Sequence, residues 1–206
     1  MEKRDLYIKF NKMLGGLKLP TDPRWVNLAE KNIEDILSDH AYCEQKAATN
    51  CISIIQMFPE YTEIVDALVP IVTEEWGHFK MVLDQLKKRD MNLGRQRRDE
   101  YVNQLLAGIR TGGNRENQLL ERLLVAALIE ARSCERFRLL SIDINDDELK
   151  KFYKNLMVSE AGHFRLFLDL AIKNLPNHDV MKRWEEYLVI EANIIANLEV
   201  RGDRVH

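Results

Sequence analysis

The sequence predicts an all-α protein: a four-helix bundle built from two helical hairpins, with a long crossover between the second and third helices and an added C-terminal helix. Three observations predict it. Apolar residues recur at three-and-four spacing over five segments, the pattern of helices that bury one face. The stretch Glu75-Trp76-Gly77-His78-Phe79 returns 85 residues later as Glu160-Ala161-Gly162-His163-Phe164, a shared E-x-G-H-F. Each copy follows a helix-sized segment with a Glu among its apolar positions, so the chain reads as a twofold internal repeat.

Residues 1–19 carry a weak helical pattern that ends near Gly15-Gly16, a short lead-in. At Pro20-Thr21-Asp22-Pro23 a helix start is marked, with Asp22 as N-cap and Pro23 at the first helical position. One long helix, or a short one running into a long one, then reaches about Met57. Its stripe is Trp25, Leu28, Ile33, Ile36, Leu37, Ala41, Ala47, Ala48, Cys51 and Ile55, and Glu44 sits inside it. Phe58-Pro59-Glu60 breaks the helix.

The second helix, about Tyr61 to Lys88, buries Ile64, Leu68, Ile71, Val82 and Leu86 together with Glu75 and His78. Arg89 to Gln118 differs in composition, with Gly94, Gly108 and Gly112-Gly113 and a short helical pattern around Tyr101 to Ile109. It is the long connection. The third helix, about Leu119 to Ser141, buries Leu123, Ala127, Cys134, Phe137 and Glu130. Asn145-Asp146-Asp147 turns the chain into the fourth, about Asp147 to Leu175, with Phe152, Leu156, His163 and Phe167 inward. The fifth, about Val180 to Val200, places Glu191 on its apolar side, and the tail Arg201 to His206 reads as polar and extended.

At 206 residues the chain fits a single domain, residues 1–206. With 46% hydrophobic and 31% charged residues and no apolar run near the ~20 residues that cross a bilayer, it reads as a soluble protein with no membrane association. Met1 to Phe10 does not read as a secretion signal, which places the expectation in the cytoplasm. Cys43, Cys51 and Cys134 have no C-x-x-C spacing, which argues against a disulfide framework or a thiolate iron site and for buried packing.

On a helix, residues three apart share a face, so each E-x-G-H-F aims a carboxylate and an imidazole at one point. A helical Gly costs roughly 1 kcal/mol against Ala, so a Gly before each His suggests that room beside the ligand is needed. In a helical hairpin, residues equidistant from the turn lie at one height. Glu44 lies 15 residues before Pro59 and Glu75 lies 16 after it, while Glu130 and Glu160 each lie 15 from Asn145. Two such hairpins give one Glu from each of two helices and Glu-x-x-His from each of the other two, the donor set of a ferritin-like dimetal site. Four buried carboxylates without cations would be prohibitively costly. Mixed carboxylate and imidazole donors suit iron that activates dioxygen, with manganese possible and zinc less apt for redox work. The metal ligands expected are Glu44, Glu75, His78, Glu130, Glu160 and His163.

A single E-x-x-H is weak evidence, more often a surface pair than a ligand set; two copies on buried faces, each with a height-matched Glu, are not. Glu135, ten residues before the turn, competes with Glu130 but shares its face with Arg138 and Leu139. His40, one turn before Glu44, reads as a histidine that supports a ligand or is simply hydrogen-bonded. Glu191 either orients a ligand histidine or forms a buried salt bridge to Arg132 or Arg136. Tyr153 reads as a core tyrosine.

The stretches Asp39-His40-Ala41-Tyr42-Cys43-Glu44-Gln45-Lys46-Ala47-Ala48, Ile129-Glu130-Ala131-Arg132-Ser133-Cys134-Glu135-Arg136-Phe137 and Ser159-Glu160-Ala161-Gly162-His163 together resemble one family, the MiaE-type tRNA hydroxylases. The likeness runs from about Pro23 to Arg201. It implies a nonhaem diiron monooxygenase with a carboxylate-bridged pair of Fe ions and O2 as co-substrate. It further implies hydroxylation of the isopentenyl side chain on a hypermodified adenosine beside the tRNA anticodon, with electrons from an external reductase. Carried over residue by residue, the family's iron ligands fall on the same six positions. Lys87 to Arg115 holds eight basic and three acidic residues, a net +5, against −8 for the remainder. A charge run is commonly a solvated loop; beside the resemblance it becomes a phosphate-contacting patch for the anticodon arm, with Arg95, Arg97 and Arg98 at its centre. The competing readings are a ferritin-type ferroxidase, a rubrerythrin-like peroxidase, which the scattered cysteines do not equip, and a metal-free helical module.

Overall fold

The computed structural model describes residues 16–205. Within them are seven helices and no strand: α1 Trp25–Glu30, α2 Ile33–Met57, α3 Thr62–Lys87, α4 Glu100–Ala107, α5 Arg115–Asp143, α6 Asp147–Asn174 and α7 Val180–Asn197. Of the lead-in expected over residues 1–19, residues 1–15 lie outside the described residues, as do the segment read for a secretion signal and His206. The fold is ferritin-like. Helices α2/α3 and α5/α6 form the two hairpins, and each pair packs closely along its length. Between hairpins the backbones stand further apart, and that gap holds the acidic side chains described below.

Side chains start most of these helices. Asp99 accepts from Val102 N, Asn114 from Asn117 N, Asp146 from both Glu148 N and Leu149 N, and Asp179 from Lys182 N, each satisfying an amide with no partner inside its helix. The cap at Asn114 starts α5 one turn earlier than its apolar pattern suggests. Asp22 accepts from Arg24 N at 2.8 Å, so it caps the first turn, but regular helix begins at Trp25 and breaks at Lys31-Asn32. The first segment is a short helix running into a long one.

Ion pairs fix the topology. Arg89 meets Asp146 at 2.7 Å, joining the end of α3 to the start of α6, and Arg115 meets Glu60 at 2.6 Å, joining the start of α5 to the turn before α3. Helices α3 and α5 therefore run parallel, which a short loop cannot achieve. The crossover follows α2 for its whole length. Asn92 N donates to Glu34 (3.0 Å), Gly94 N to Ser38 (2.9 Å), Lys46 pairs with Asp99 (2.7 Å), and Arg115 reaches the carbonyl of Met57. At ~1.5 Å per residue, the 25 residues of α2 make this a span of roughly 37 Å.

Two structural outcomes differ from the sequence expectation. Helix α5 is buried almost all round, with Arg132, Glu135 and Arg136 inside as well as Glu130, because α7, α1 and the segment at Leu17–Thr21 cover the faces that the bundle leaves open. The tail is not a polar extension. It turns at Gly202-Asp203 and buries Val205, whose amide donates to Asp39 at 2.8 Å and whose carbonyl accepts from Arg136. Gly202 passes so close to α1 that a Cβ there would lie 2.3 Å from the carbonyl of Leu28. Only a residue without a side chain fits.

Candidate metal centre

Apolar side chains form two clusters along the bundle, one around Ile54, Leu68, Leu123 and Phe167 and the other around Leu37, Val82, Phe137 and Leu156. Glu44, Glu75, Glu130 and Glu160 lie buried between these clusters, one from each long helix, with His78 and His163 beside them. Two groups of potential donors result: Glu44, Glu75, His78 and Glu160, and Glu75, Glu130, Glu160 and His163, with the donor atoms of each group within 4.8 Å of one another. Glu75 and Glu160 belong to both groups. That is the arrangement two ions need if the E-x-G-H-F carboxylates are shared, with Glu44 and His78 on one side and Glu130 and His163 on the other.

The electrostatics of the protein atoms alone are strained in the way such a site predicts. Burial, and then the charge of Glu160, pushes Glu44 and Glu130 well above the usual carboxylate range. Burial disfavours charge on the imidazoles too, but contact with Glu44 and Glu75 raises His78 to about 10, and contact with Glu160 and Glu75 raises His163 to about 11. Against the pull of burial, His163 and His78 hold Glu75 well below the usual range. Glu75 Oε1, Glu160 Oε1 and both ring nitrogens of His163 are buried without a hydrogen bond, a rare condition for so many polar atoms in one place. The donor set therefore fits divalent metal ions.

A family model described as tRNA-(MS[2]IO[6]A)-hydroxylase (MiaE) matches residues 9–206. The chain belongs to this family. A tRNA 2-(methylsulfanyl)-N(6)-isopentenyladenosine(37) hydroxylase of Pseudomonas putida is 35% identical over 179 residues, covering 87% of this chain and 86% of that one. A Salmonella typhimurium protein of the same description is 25% identical, covering 89% and 84%. Among solved structures, a Synechococcus chain described as protein 43 with aldehyde deformylating oxygenase activity superposes with a TM-score of 0.86 at 33% identity, covering 92% of this chain and 94% of that one.

Around the donor set of this MiaE-family chain, the neighbouring side chains take definite partners, some as the sequence reading has them and some not. His40 is fully buried, packs against Phe137 and Tyr153, and its Nε2 lies 2.6 Å from Glu44 Oε1. Glu191 is placed in a salt bridge, 2.6 Å from Arg132, with Tyr101 donating to it at 3.3 Å. Arg132 is two residues from Glu130, roughly 200° round the helix, so this pair faces α7 and away from the histidines. Glu135 belongs to the same network through Arg132 (2.6 Å) and Thr21 (3.0 Å from its amide), not through Arg138. Gly77 and Gly162 do not make room: a Cβ at either would meet nothing within 4 Å. The thiols of Cys51 and Cys134 are pushed up to about 12 by burial, which leaves them protonated packing groups.

Sequence reasoning did not find the cavity of about 470 Å3 between α2, α5 and the crossover. Its mouth is polar, with Lys46, Asn50, Gln96 and Asp99; its interior is lined by Val125, Ala126, Ile129 and Phe167, and it reaches Glu130. The hint lay in Ala47 and Ala126, small residues at bundle positions where a larger side chain would fill the space.

The basic run reads differently in three dimensions. Lys88 pairs with Glu148, Arg89 with Asp146, Arg110 with Glu186 and Arg115 with Glu60, so much of its charge fastens the crossover to an acidic bundle. Arg97 bridges Asp35 and Asp203, tying the crossover to α2 and to the tail. Arg95 and Arg98 are exposed, and Arg98 lies 3.2 Å from Glu100.

Proposed function

We propose that this chain hydroxylates the isopentenyl side chain of a hypermodified adenosine in the anticodon arm of tRNA, using two iron ions, O2 and two electrons from an external reductase. One oxygen atom enters a C–H bond of the side chain and the other leaves as water with two protons. The observation that carries the reading is the cavity ending at Glu130. A volume of about 470 Å3 lies within the range of small-ligand pockets. Its apolar interior suits a branched hydrocarbon chain, and its polar mouth suits a base and ribose.

Glu44, Glu75, His78, Glu130, Glu160 and His163 would hold the metal pair, which supplies activation of O2 when bound. The chain's own part is positioning. His40, hydrogen-bonded to Glu44 and wedged among aromatic rings, orients that carboxylate. Apolar clusters above and below the carboxylate layer exclude water, which protects a strong oxidant from side reactions. The target base must be splayed out of the RNA to enter, as bases of single-stranded loops can be. Arg95 and Arg98 remain available to the RNA backbone, whereas Arg97 is engaged within the protein.

Mass spectrometry of tRNA nucleosides from cells with and without the gene tests the reading. Loss of the hydroxylated nucleoside together with accumulation of its isopentenyl precursor is expected. An unchanged nucleoside profile overturns it. The superposition on the Synechococcus chain favours aldehyde deformylation as a second reading, and loss of the formyl carbon from an added aldehyde with the purified, reduced protein would establish that instead. Iron oxidation and storage with no organic product would favour the ferroxidase reading.

A further inference from the structure

The crossover has two sides. Gln96 and Asp99 line the cavity that reaches Glu130, while Arg98 and Glu100 line a second, smaller hollow closed by the C-terminal tail. Its volume is about 80 Å3, the space of two to three waters at ~30 Å3 each. The hollow draws on three parts of the chain: Arg98 from the crossover, Arg136 from α5, and Arg201 and Arg204 from the tail. Glu100 and Glu199 are the acidic groups that line it, so four guanidinium groups stand against two carboxylates.

Arg136 is the unusual member. It is 8% exposed, and among the described residues no carboxylate lies within 4 Å of it. One Nη donates to the carbonyl of Val205, the guanidinium lies 4.9 Å over the ring of Trp25, and Nε has no hydrogen-bond partner. Burying a guanidinium without an anion is costly, and burial together with the charge of Arg132 pushes Arg136 down to about 10. Arg201 and Arg204 are drawn to the hollow by Asp203, which each meets at 3.0 Å. Gly202 and the buried Val205 then lock the tail in place. A buried guanidinium that no carboxylate meets, flanked by three further arginines in a hollow of this size, is a built site for a small tetrahedral anion. Guanidinium forks match phosphate oxygens.

We propose that this arginine hollow binds one backbone phosphate of the RNA, close to the nucleotide whose base enters the neighbouring cavity. The proposal rests on the hydroxylase reading. Binding there would set the position of the nucleic acid across the few residues of crossover that separate the two spaces, Gln96 to Tyr101. Phosphate contacts of this kind position a nucleic acid without reading its sequence. The tail, whose role the sequence did not disclose, becomes part of the substrate site.

The same phosphate chemistry could come from free inorganic phosphate, and the test separates the two. Binding of an anticodon stem-loop carrying the isopentenyl adenosine is measured across a range of salt concentrations for the metal-loaded wild type and for Arg98→Gln, Arg201→Gln and the double variant. Both side chains are more than half exposed, so thermal midpoint and metal content should not change. The double variant should bind about tenfold more weakly, the size of one lost charge-assisted contact, with a salt slope shallower by about 1. A single neutral methylphosphonate linkage beside the target adenosine should reproduce the loss in the wild type and add nothing in the double variant. Equal affinity and slope for wild type and double variant overturn the proposal. So does inorganic phosphate that raises the wild-type melting point but not the variant's while RNA binding is equal in both, which assigns the hollow to a free anion. Hydroxylation of the same stem-loop by the wild type is followed in parallel. If it occurs while the variants bind normally, the hollow alone is misassigned, and if the wild type neither binds nor hydroxylates the RNA, the hydroxylase reading falls with it.

Discussion

His163 Nδ1 lies 2.8 Å from Glu75 Oε1, across the interface between the two E-x-G-H-F helices, yet the pair makes no hydrogen bond. Two buried polar atoms this close but not aligned on each other are left as donors for a cation beside the pair. His78 Nδ1 stands in the reciprocal relation to Glu160 Oε1 at 3.7 Å, so each motif's histidine faces the other motif's carboxylate. Sharing of Glu75 and Glu160 between the two donor groups follows. Glu75→Ala or Glu160→Ala should therefore reduce iron from about two ions per chain to nearly none, as read by elemental analysis of the purified protein. Full occupancy in either variant would remove that carboxylate from the bridging role.

Glu130 and Glu135 lie about 1.4 turns apart on α5 and should part company in experiment. Glu130→Ala should lose iron and leave the fold intact, since it removes one of several crowded carboxylates. Glu135→Ala should keep the iron-binding residues in place but leave Arg132 short of one of its two carboxylate partners. Breaking a buried pair costs about 3–5 kcal/mol, a loss that chemical denaturation of the metal-free variant would register. Retention of iron by Glu130→Ala would sink the equal-height argument.

The pH dependence has a defined sign. In the metal-free protein Glu44 and Glu130 are raised above 4.5, and His78 and His163 are raised from 6.5 to about 10 and about 11. In all four the folded state binds its proton more tightly than the unfolded chain does. This stabilisation is complete below the unfolded values and is lost as pH rises through the folded ones. Metal-free protein should thus melt at a lower temperature at pH 8.5 than at pH 5.5. Metal binding needs the same groups deprotonated, so iron affinity should rise over the same interval, with protons released on loading. Calorimetric titrations in buffers of different ionisation enthalpy count those protons. A melting temperature of the metal-free protein that rises with pH from this cluster would contradict the assignment.

Gly77 and Gly162 offer a test of a different kind. The sequence suggests that each makes room for its histidine, but a Cβ at either meets open space. Gly77→Ala and Gly162→Ala should then keep their iron and gain roughly 0.5–1 kcal/mol apiece from helix propensity. Iron loss in these variants would restore the original suggestion.

The bundle was legible because its signals are local: caps, breaks, and a Glu and His set at fixed distances from two turns. Glu44, Glu75, Glu130 and Glu160 could be placed at one height from counting alone, since a hairpin converts sequence distance into depth. The network of Arg132, Glu135 and Glu191, with Arg136 beside it, was legible only in part, since a Glu191 salt bridge to Arg132 or Arg136 was one of two readings. Arg132, Glu135 and Arg136 sit on faces of α5 that a four-helix count assigns to solvent, and only the packing of α7, Thr21 and the tail turns them inward. The ion pairs that take up part of the crossover's charge excess were hidden for a related reason. The acidic partners, such as Asp35, Glu60 and Glu186, are far away in sequence and near in space.

The cavity gives the last prediction. Ala47 on α2 and Ala126 on α5 both line it, and neither belongs to the proposed ligand set. Ala47 is half-buried, so a larger side chain there has space to turn into the cavity without displacing the core. Ala47→Phe should occupy much of the volume through which the isopentenyl group would reach Glu130. Iron content and melting temperature should stay close to wild type, because the carboxylate layer is untouched. Hydroxylation of tRNA should fall by a factor of about 100 or more, since a base that stops even 1 Å short of the reacting position can lose that much. Binding of the RNA backbone should survive, separating entry of the base from docking of the arm. If Ala47→Phe hydroxylates tRNA at the wild-type rate, the substrate approaches by another face of the bundle.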